Sequence, residues 1–414
     1  MDPPLAERPD TSSSAIIARD LPYESDERIS YCEILSSDKN SYSGYRDQKT
    51  YALASLSKVI TTAWALKKLG PDFSFESTLY FQPVAQQPGV IDAYLSTGYD
   101  PIFNIEKILY LLAQLNERGV RKIRNLVIDE TTRVFLSVLS QPHIELNQTP
   151  ISTNESVANL MLILNSANWS SQTQAARQRL MAWSLDHQKN LKIPTSFSTE
   201  LVISKKRSSL ELTSYSQKIS MISAPLLKYL KNLNVYSNNY ISDALFLYLG
   251  GVQEFQKFQE SELKLSSKSL QVLTGSGLAD YSSGFRRDNV GSCVAMLKVL
   301  NYVDIKAQQQ GLNVGHILYN PGYDQDGTFE SEFNFANQVV IKTGRLFENP
   351  AFNLAGIVST TKGSLYFSFL GHHFDSHEAT EMEIARNQML QSVLDFYPTQ
   401  SHFLTLKEFQ IFLK

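Results

Sequence analysis

Tyr51-Ala-Leu-Ala-Ser-Leu-Ser-Lys-Val-Ile-Thr-Thr-Ala-Trp-Ala-Leu-Lys-Lys-Leu-Gly70 is the stretch whose reading decides the fold. Leu56, Val59, Ile60, Ala63, Leu66 and Leu69 recur at helical spacing, so a buried helix is predicted from near Ser55 to Gly70. Ser55 falls in its first turn and Lys58 one turn on, on the same face. A serine hydroxyl is a poor nucleophile until a base takes its proton. A lysine is such a base only when burial or nearby cations lower its proton affinity. A buried helix start supplies the first condition. The pattern is common, however: Ser36–Lys39 and Ser261–Lys264 repeat it, and an ordinary helix start explains any single instance.

Outward from this stretch, 414 residues predict two domains or one large domain with an insertion. The composition is that of a soluble globular protein. A formal charge of −3 with no Lys/Arg-rich run gives no sign of a nucleic-acid surface, and no apolar run is long enough to predict a membrane span. Two cysteines, Cys32 and Cys293, exclude a disulfide framework and a cysteine-based zinc site. Their spacing does not say whether they pair, and free, buried thiols are the expectation. Met1-Asp-Pro-Pro-Leu-Ala-Glu-Arg8 has no basic or apolar leader character. A cytoplasmic protein and a mature exported form both fit.

Along the chain, Ile29–Leu35 alternates as a strand, Ser36–Gly44 reads as a turn region, and a short strand leads from Lys49 towards Ser55. After Gly70 the character changes. Phe75–Phe81 reads as a strand, Asn104 starts a strong helix, Leu126–Ile128 is a short strand, Glu155–Leu185 is mostly helical, and Glu200–Ser204 and Leu210–Thr213 are strand-like. Helices return from about Ile219, with another over Asp288–Leu300 around Cys293. The chain then forms a β-meander over Asn337–Ile341, Phe352–Ser359 and Ser364–Leu370, followed by a helix Ser376–Phe396 stopped by Pro398.

Three short motifs stand in order: Ser55-x-x-Lys58, Ser237-x-Asn239 and Lys342-Thr-Gly344. Each is weak alone; Ser166-Ala-Asn168 is another Ser-x-Asn, Ser237–Asn239 also suits a helix cap, and Lys342–Gly344 a strand end. Together, on a helix start, between two helices and at a strand end, they are the set found in penicillin-binding proteins and class A β-lactamases. From about Ser30 to Leu394 the chain resembles the class C low-molecular-mass penicillin-binding proteins, the S13 D-alanyl-D-alanine carboxypeptidase/endopeptidase family. Further matching segments are Gly98-Tyr-Asp-Pro101, Gly275–Leu278, Asp326-Gly-Thr328, Leu354–Ile357 and Phe367–Phe369. Two departures stand at the rim: Arg345 replaces the usual Thr after Lys-Thr-Gly, and Ala279-Asp280 replaces a Ser-Arg pair.

The resemblance implies an α/β (α+β) transpeptidase-type fold, an antiparallel sheet flanked by helices, formed by residues 1–71 and 209–414. A smaller α/β domain over 72–208 is expected as an insertion, since roughly 180 residues separate Lys58 from Ser237. The sheet carrying Lys342 should join strands from both chain ends. The implied activity is a serine DD-peptidase acting on peptidoglycan peptides, as carboxypeptidase, cross-link endopeptidase or both, in the periplasm, acylated by β-lactams and using no cofactor. Ser55 would be acylated, Lys58 would take its proton, and Ser237 would bridge Lys58 and Lys342 and return a proton to the leaving amine. Asn239 would hold a substrate amide and Lys58; Lys342 and Thr343 would hold the terminal carboxylate; Gly344 would let substrate lie along the strand edge. The N–H groups of Ser55 and Arg345 would form the oxyanion hole. A β-lactamase or esterase on the same scaffold, or a non-catalytic cell-wall-binding relic, are the alternatives. His372, His373 and His377 lie near Asp375 and Glu378, but Asp375-x-x-Glu378 reads as a capping box rather than a zinc site.

Overall fold

A computed structural model describes residues 27–134, 152–205, 216–324, 327–329, 335, 337–346, 350–372, 376–406 and 412–413. The strands are β1 (Ile29–Leu35), β2 (Asp38–Tyr45), β3 (Thr50–Ala52), β4 (Glu76–Pro83), β5 (Val90–Ser96), β6 (Lys122–Ile128), β7 (Ser198–Ser204), β8 (Gln217–Ile222), β9 (Leu270–Gln271), β10 (Val290–Ser292), β11 (Val339–Leu346), β12 (Ala351–Thr360) and β13 (Gly363–His372). The chain divides into two compact units, Met1–Pro71 with Leu230–Phe409, and Asp72–Tyr229 with Gln410–Lys414.

The first unit is built on a five-stranded sheet in the order β11-β12-β13-β1-β2, with every pairing antiparallel. Strands from both ends of the chain therefore do meet, with Cys32 opposite Ser368. Side chains alternate across the sheet. Tyr31, Leu365, Phe367 and Phe369 face Met382, Met389, Leu390 and Val393 of the helix Ser376–Phe396. Tyr366, on the other face, donates to Asp304 of the helix Cys293–Gln309 at 2.9 Å. On that same face Cys32 and Cys293 are joined as a disulfide. They are buried, as expected, but paired rather than free. Their 261-residue separation hides in sequence what the packing of the helix Cys293–Gln309 against β1 brings together.

Ser36–Gly44, read as a turn, is mostly strand β2. Its polar residues suit an outer strand with one partner, whereas β1, between β13 and β2, is buried along its whole length. The helix expected from Asp288 starts only at Cys293, capped by Ser292, because Val290–Ser292 pairs with β3 and β9.

The second unit holds a mixed sheet in the order β7-β6-β5-β4-β8, parallel across β5-β6-β7 and antiparallel at β4. The helix Ile105–Glu117 is capped by Asn104, whose side chain accepts from the Lys107 N–H at 3.2 Å. Gln217–Ile222, where helices were expected to return, is β8 instead. The Gly98-Tyr-Asp-Pro segment has a structural reason. Gly98 lies at φ +59°, and a Cβ there would stand 2.2 Å from the Glu76 carbonyl. Asp100 accepts from the buried Lys107 ammonium at 2.6 Å and the Tyr229 hydroxyl at 2.7 Å. Leu210–Thr213 and the Asp375 capping box fall outside the described residues.

Candidate active site

β3 ends at Ala52, and the chain turns through a single 3-10 turn, Ala54–Leu56, into the helix Ser57–Leu69. The turn is sharp: Ala54 lies at φ +49°, a conformation that costs a non-glycine residue of order 1–3 kcal/mol. Its surroundings hold it there. Buried Asn353 on β12 donates to the Ala52 and Leu53 carbonyls at 2.8 and 3.0 Å. The Asn289 carbonyl accepts from the Leu53 N–H at 2.9 Å, and its side chain donates to Ser57 Oγ at 2.9 Å. Gly277 packs so closely that a Cβ would stand 1.8 Å from the Ala54 carbonyl. This turn leaves Ser55 half-buried while Leu56, Ser57 and Lys58 are buried.

Lys58 is fully buried. Its Nζ donates to Ser55 Oγ at 2.8 Å, Asn239 Oδ1 at 2.6 Å and the Ser276 carbonyl at 2.8 Å. All three acceptors are uncharged. Burial therefore pulls its pKa down to about 7, against an opposing pull from Asp243. Lysine in this state can accept a proton near neutrality. The loop Gly275–Gly277 reaches Lys58 because two hydroxyls anchor it: Thr61 and Ser242 donate to the Gly275 carbonyl at 2.9 and 2.8 Å.

Lys342 approaches from β11 and is also buried, which lowers its pKa well below the ordinary value, with Lys58 adding to the effect. Its Nζ donates to Ser237 Oγ at 3.0 Å and to the Thr343 carbonyl at 2.9 Å. Ser237 sits at φ +56°, just ahead of the helix Asn239–Tyr248, which Asn238 caps. The bridge expected of Ser237 is thus divided: Ser237 meets Lys342, while Asn239 and Ser276 hold Lys58.

β11 is the outer strand of its sheet. The Ile341 N–H points away from β12 and donates to the Tyr319 carbonyl at 2.8 Å. By strand alternation the N–H groups of Thr343 and Arg345 point the same way, towards the side where a peptide could pair. Gly344 has a structural reason of its own. A Cβ there would stand 2.8 Å from the Leu53 carbonyl and 3.2 Å from the Leu56 N–H, so glycine lets β11 lie against the serine turn. The Thr343 hydroxyl is 2.7 Å from that of Thr328. Arg345 is exposed, its guanidinium 5.3 Å from the Phe352 ring centre.

The structure therefore brings Ser55, Lys58, Ser237, Asn239, Lys342, Thr343, Gly344 and Arg345 into one neighbourhood. The competing Ser261 donates to the Lys257 carbonyl, and Ser166–Asn168 is a 3-10 turn of the other unit. Asn289 and Asn353 were not singled out in sequence, and Ser276 and Thr328 stood only inside the matching segments Gly275–Leu278 and Asp326-Gly-Thr328, with no role given to them. Three of them act through backbone contacts or through the turn, which leaves no spacing signal. Of the histidine group, Glu378 pairs with Arg28 at 2.9 Å; His373, Asp375 and the His377 side chain lie outside the described residues. Among the described residues no metal-binding group forms, and no helix is long and apolar enough to cross a membrane.

Residues 31–172 and 187–393 match the model of the D-Ala-D-Ala carboxypeptidase 3 (S13) family. The chain belongs to this family. It is a hydrolase of the S13 D-Ala-D-Ala carboxypeptidase type, as the resemblance implied. Among solved structures it is similar to Bd0816, a predatory endopeptidase from Bdellovibrio bacteriovorus, with 25% identity, TM-score 0.78, 92% of this chain and 96% of that chain covered. A second predatory endopeptidase of that organism, Bd3459, gives 24% identity, TM-score 0.77 and coverage of 93% and 99%; it has also been seen acylated by penicillin G. Penicillin binding protein 4 from Haemophilus influenzae shares the fold at 19% identity, TM-score 0.58 and coverage of 90% and 98%. A comparison with curated proteins finds no significant match.

Proposed function

We propose that this S13 peptidase cleaves D-alanyl peptide bonds of peptidoglycan through an acyl-enzyme on Ser55. Lys58, neutral for part of the time at pH 7, takes the Ser55 proton as Oγ attacks the carbonyl carbon. The N–H groups of Ser55 and Arg345 hold the developing oxyanion. Lys342 and Thr343 receive the terminal carboxylate, and the substrate backbone lies along the outer edge of β11. The C–N bond then breaks, and the proton held by Lys58 is relayed through the Ser237 hydroxyl, steadied by Lys342, to the leaving amine, which leaves Lys58 neutral. Water enters and gives a proton to neutral Lys58 as its oxygen attacks the ester, and Lys58 returns that proton to Ser55 Oγ as the acyl group leaves. β-Lactams would take the same path and stop at the ester. The Cys32–Cys293 disulfide supports residence in an oxidising compartment, which for such a substrate is the periplasm.

The observation that carries this reading is the 2.8 Å contact between a fully buried Lys58 ammonium and Ser55 Oγ. Mass spectrometry of the digested penicillin adduct tests it. One penicilloyl group on the peptide containing Ser55 is expected; label on Ser36, Ser237 or Ser261, or none, removes the mechanism.

A further inference from the structure

Two buried lysines in one site need a nearby negative charge, and none of the three motifs provides one. The helix Asn239–Tyr248 does. Asp243 stands one turn beyond Asn239, on the same face, and is 8% exposed. Its Oδ1 accepts from the Ser276 N–H at 2.7 Å. The carbonyl of that same residue accepts from Lys58 Nζ at 2.8 Å. Gly275 ahead of it is pinned from two helices, and Gly277 behind it lies against the Ala54 carbonyl. The loop can therefore present the Ser276 carbonyl to Lys58 in one way only while Asp243 holds its N–H.

We propose that Asp243 is a positioning residue for acylation: it fixes the Ser276 backbone so that the carbonyl receives the Lys58 ammonium, and it sets a negative charge behind the buried pair Lys58 and Lys342. The inference rests on the assignment of Lys58 as the base.

Two charged groups act on Lys58, Asp243 from its helix and Lys342 from β11; the groups it touches, on Ser55, Asn239 and Ser276, are neutral. Their effects oppose each other. Burial lowers the Lys58 pKa to about 7 and Asp243 raises it. Burial also raises the Asp243 carboxyl, while bonds from Ser276 and the field of Lys58 lower it. An opposite charge favours the ammonium, so its loss lets Lys58 give up its proton at lower pH.

The test is the pH dependence of acylation by a chromogenic β-lactam, with the label mapped by mass spectrometry. Asp243→Asn keeps an acceptor for the Ser276 N–H and removes the charge. Its acidic limb is expected to move down by about half a pH unit or more, a shift ordinary for one neighbouring charge, with the plateau near wild type. Asp243→Glu keeps the charge but displaces the acceptor. Its limb should stay in place while the plateau falls about tenfold, within the range for small misplacements of a catalytic group. An unmoved Asn limb, or an unchanged Glu plateau, with the label on Ser55, overturns the inference alone. A label elsewhere removes the base assignment and this inference with it.

Discussion

Lys58 holds its place through three uncharged acceptors, and the role of base proposed for it depends on staying neutral part of the time. Lys58→Arg keeps a cation that does not deprotonate in a protein. Acylation should slow at least about 100-fold, the lower range for general-base catalysis. Binding of the carboxylate, assigned to Lys342 and Thr343, should weaken far less. Stopped-flow acylation with a chromogenic β-lactam separates the two, and a near-wild-type rate would assign the base elsewhere. The wild-type rate should also climb as pH rises through about 7, since the lowered pKa puts the neutral amine on the alkaline side. A rate flat from about pH 6 to 8, the span over which a single group titrating near 7 changes state, would contradict this. Ser55, Lys58, Ser237, Asn239 and Lys342 could be picked out in sequence because they stand in short motifs of fixed internal spacing. The part of Ser276 could not, although its segment Gly275–Leu278 matched: it meets Lys58 through its carbonyl, which any residue possesses.

The loop Gly275–Gly277 is the element that ties the serine turn to the Asn239 helix. Gly277 lies at φ +86° with the Ala54 carbonyl where its Cβ would be. Gly277→Ala should cost about 1–3 kcal/mol from the backbone conformation. It should also slow acylation by up to about 100-fold, because the Ala54 turn has to shift. Urea unfolding and single-turnover acylation measure the two, and a variant unchanged in both would show that the loop does not set the turn. Elements of this kind divide sharply in what sequence shows. The helix behind Ser55 and strand β1 carry strong apolar patterns and were read closely. β2 was not, since a polar strand with a single partner lacks that pattern; in β8 only Ile219 and Met221 alternate into the core, too short a run to stand apart from the helix that follows.

Across the catalytic unit, the Cys32–Cys293 bond joins β1 to the helix Cys293–Gln309. Removing it with Cys32→Ser and Cys293→Ser should cost about 2–5 kcal/mol of stability. Denaturant unfolding of the double variant against the wild type, without reductant, measures the loss; equal midpoints would mean the bond contributes nothing. The same pairing of distant strands bears on the order in which the protein is made. β1 is synthesised long before its partner β13. Contacts of such long sequence separation form late and slowly. The serine helix can exist for the whole of that interval, but the strand carrying Lys342 has no completed sheet to stand on until residues 363–372 arrive. A nascent chain stopped short of β13 is thus an inactive one, and the proposed peptidase activity is acquired only once residues 363–372 have been made.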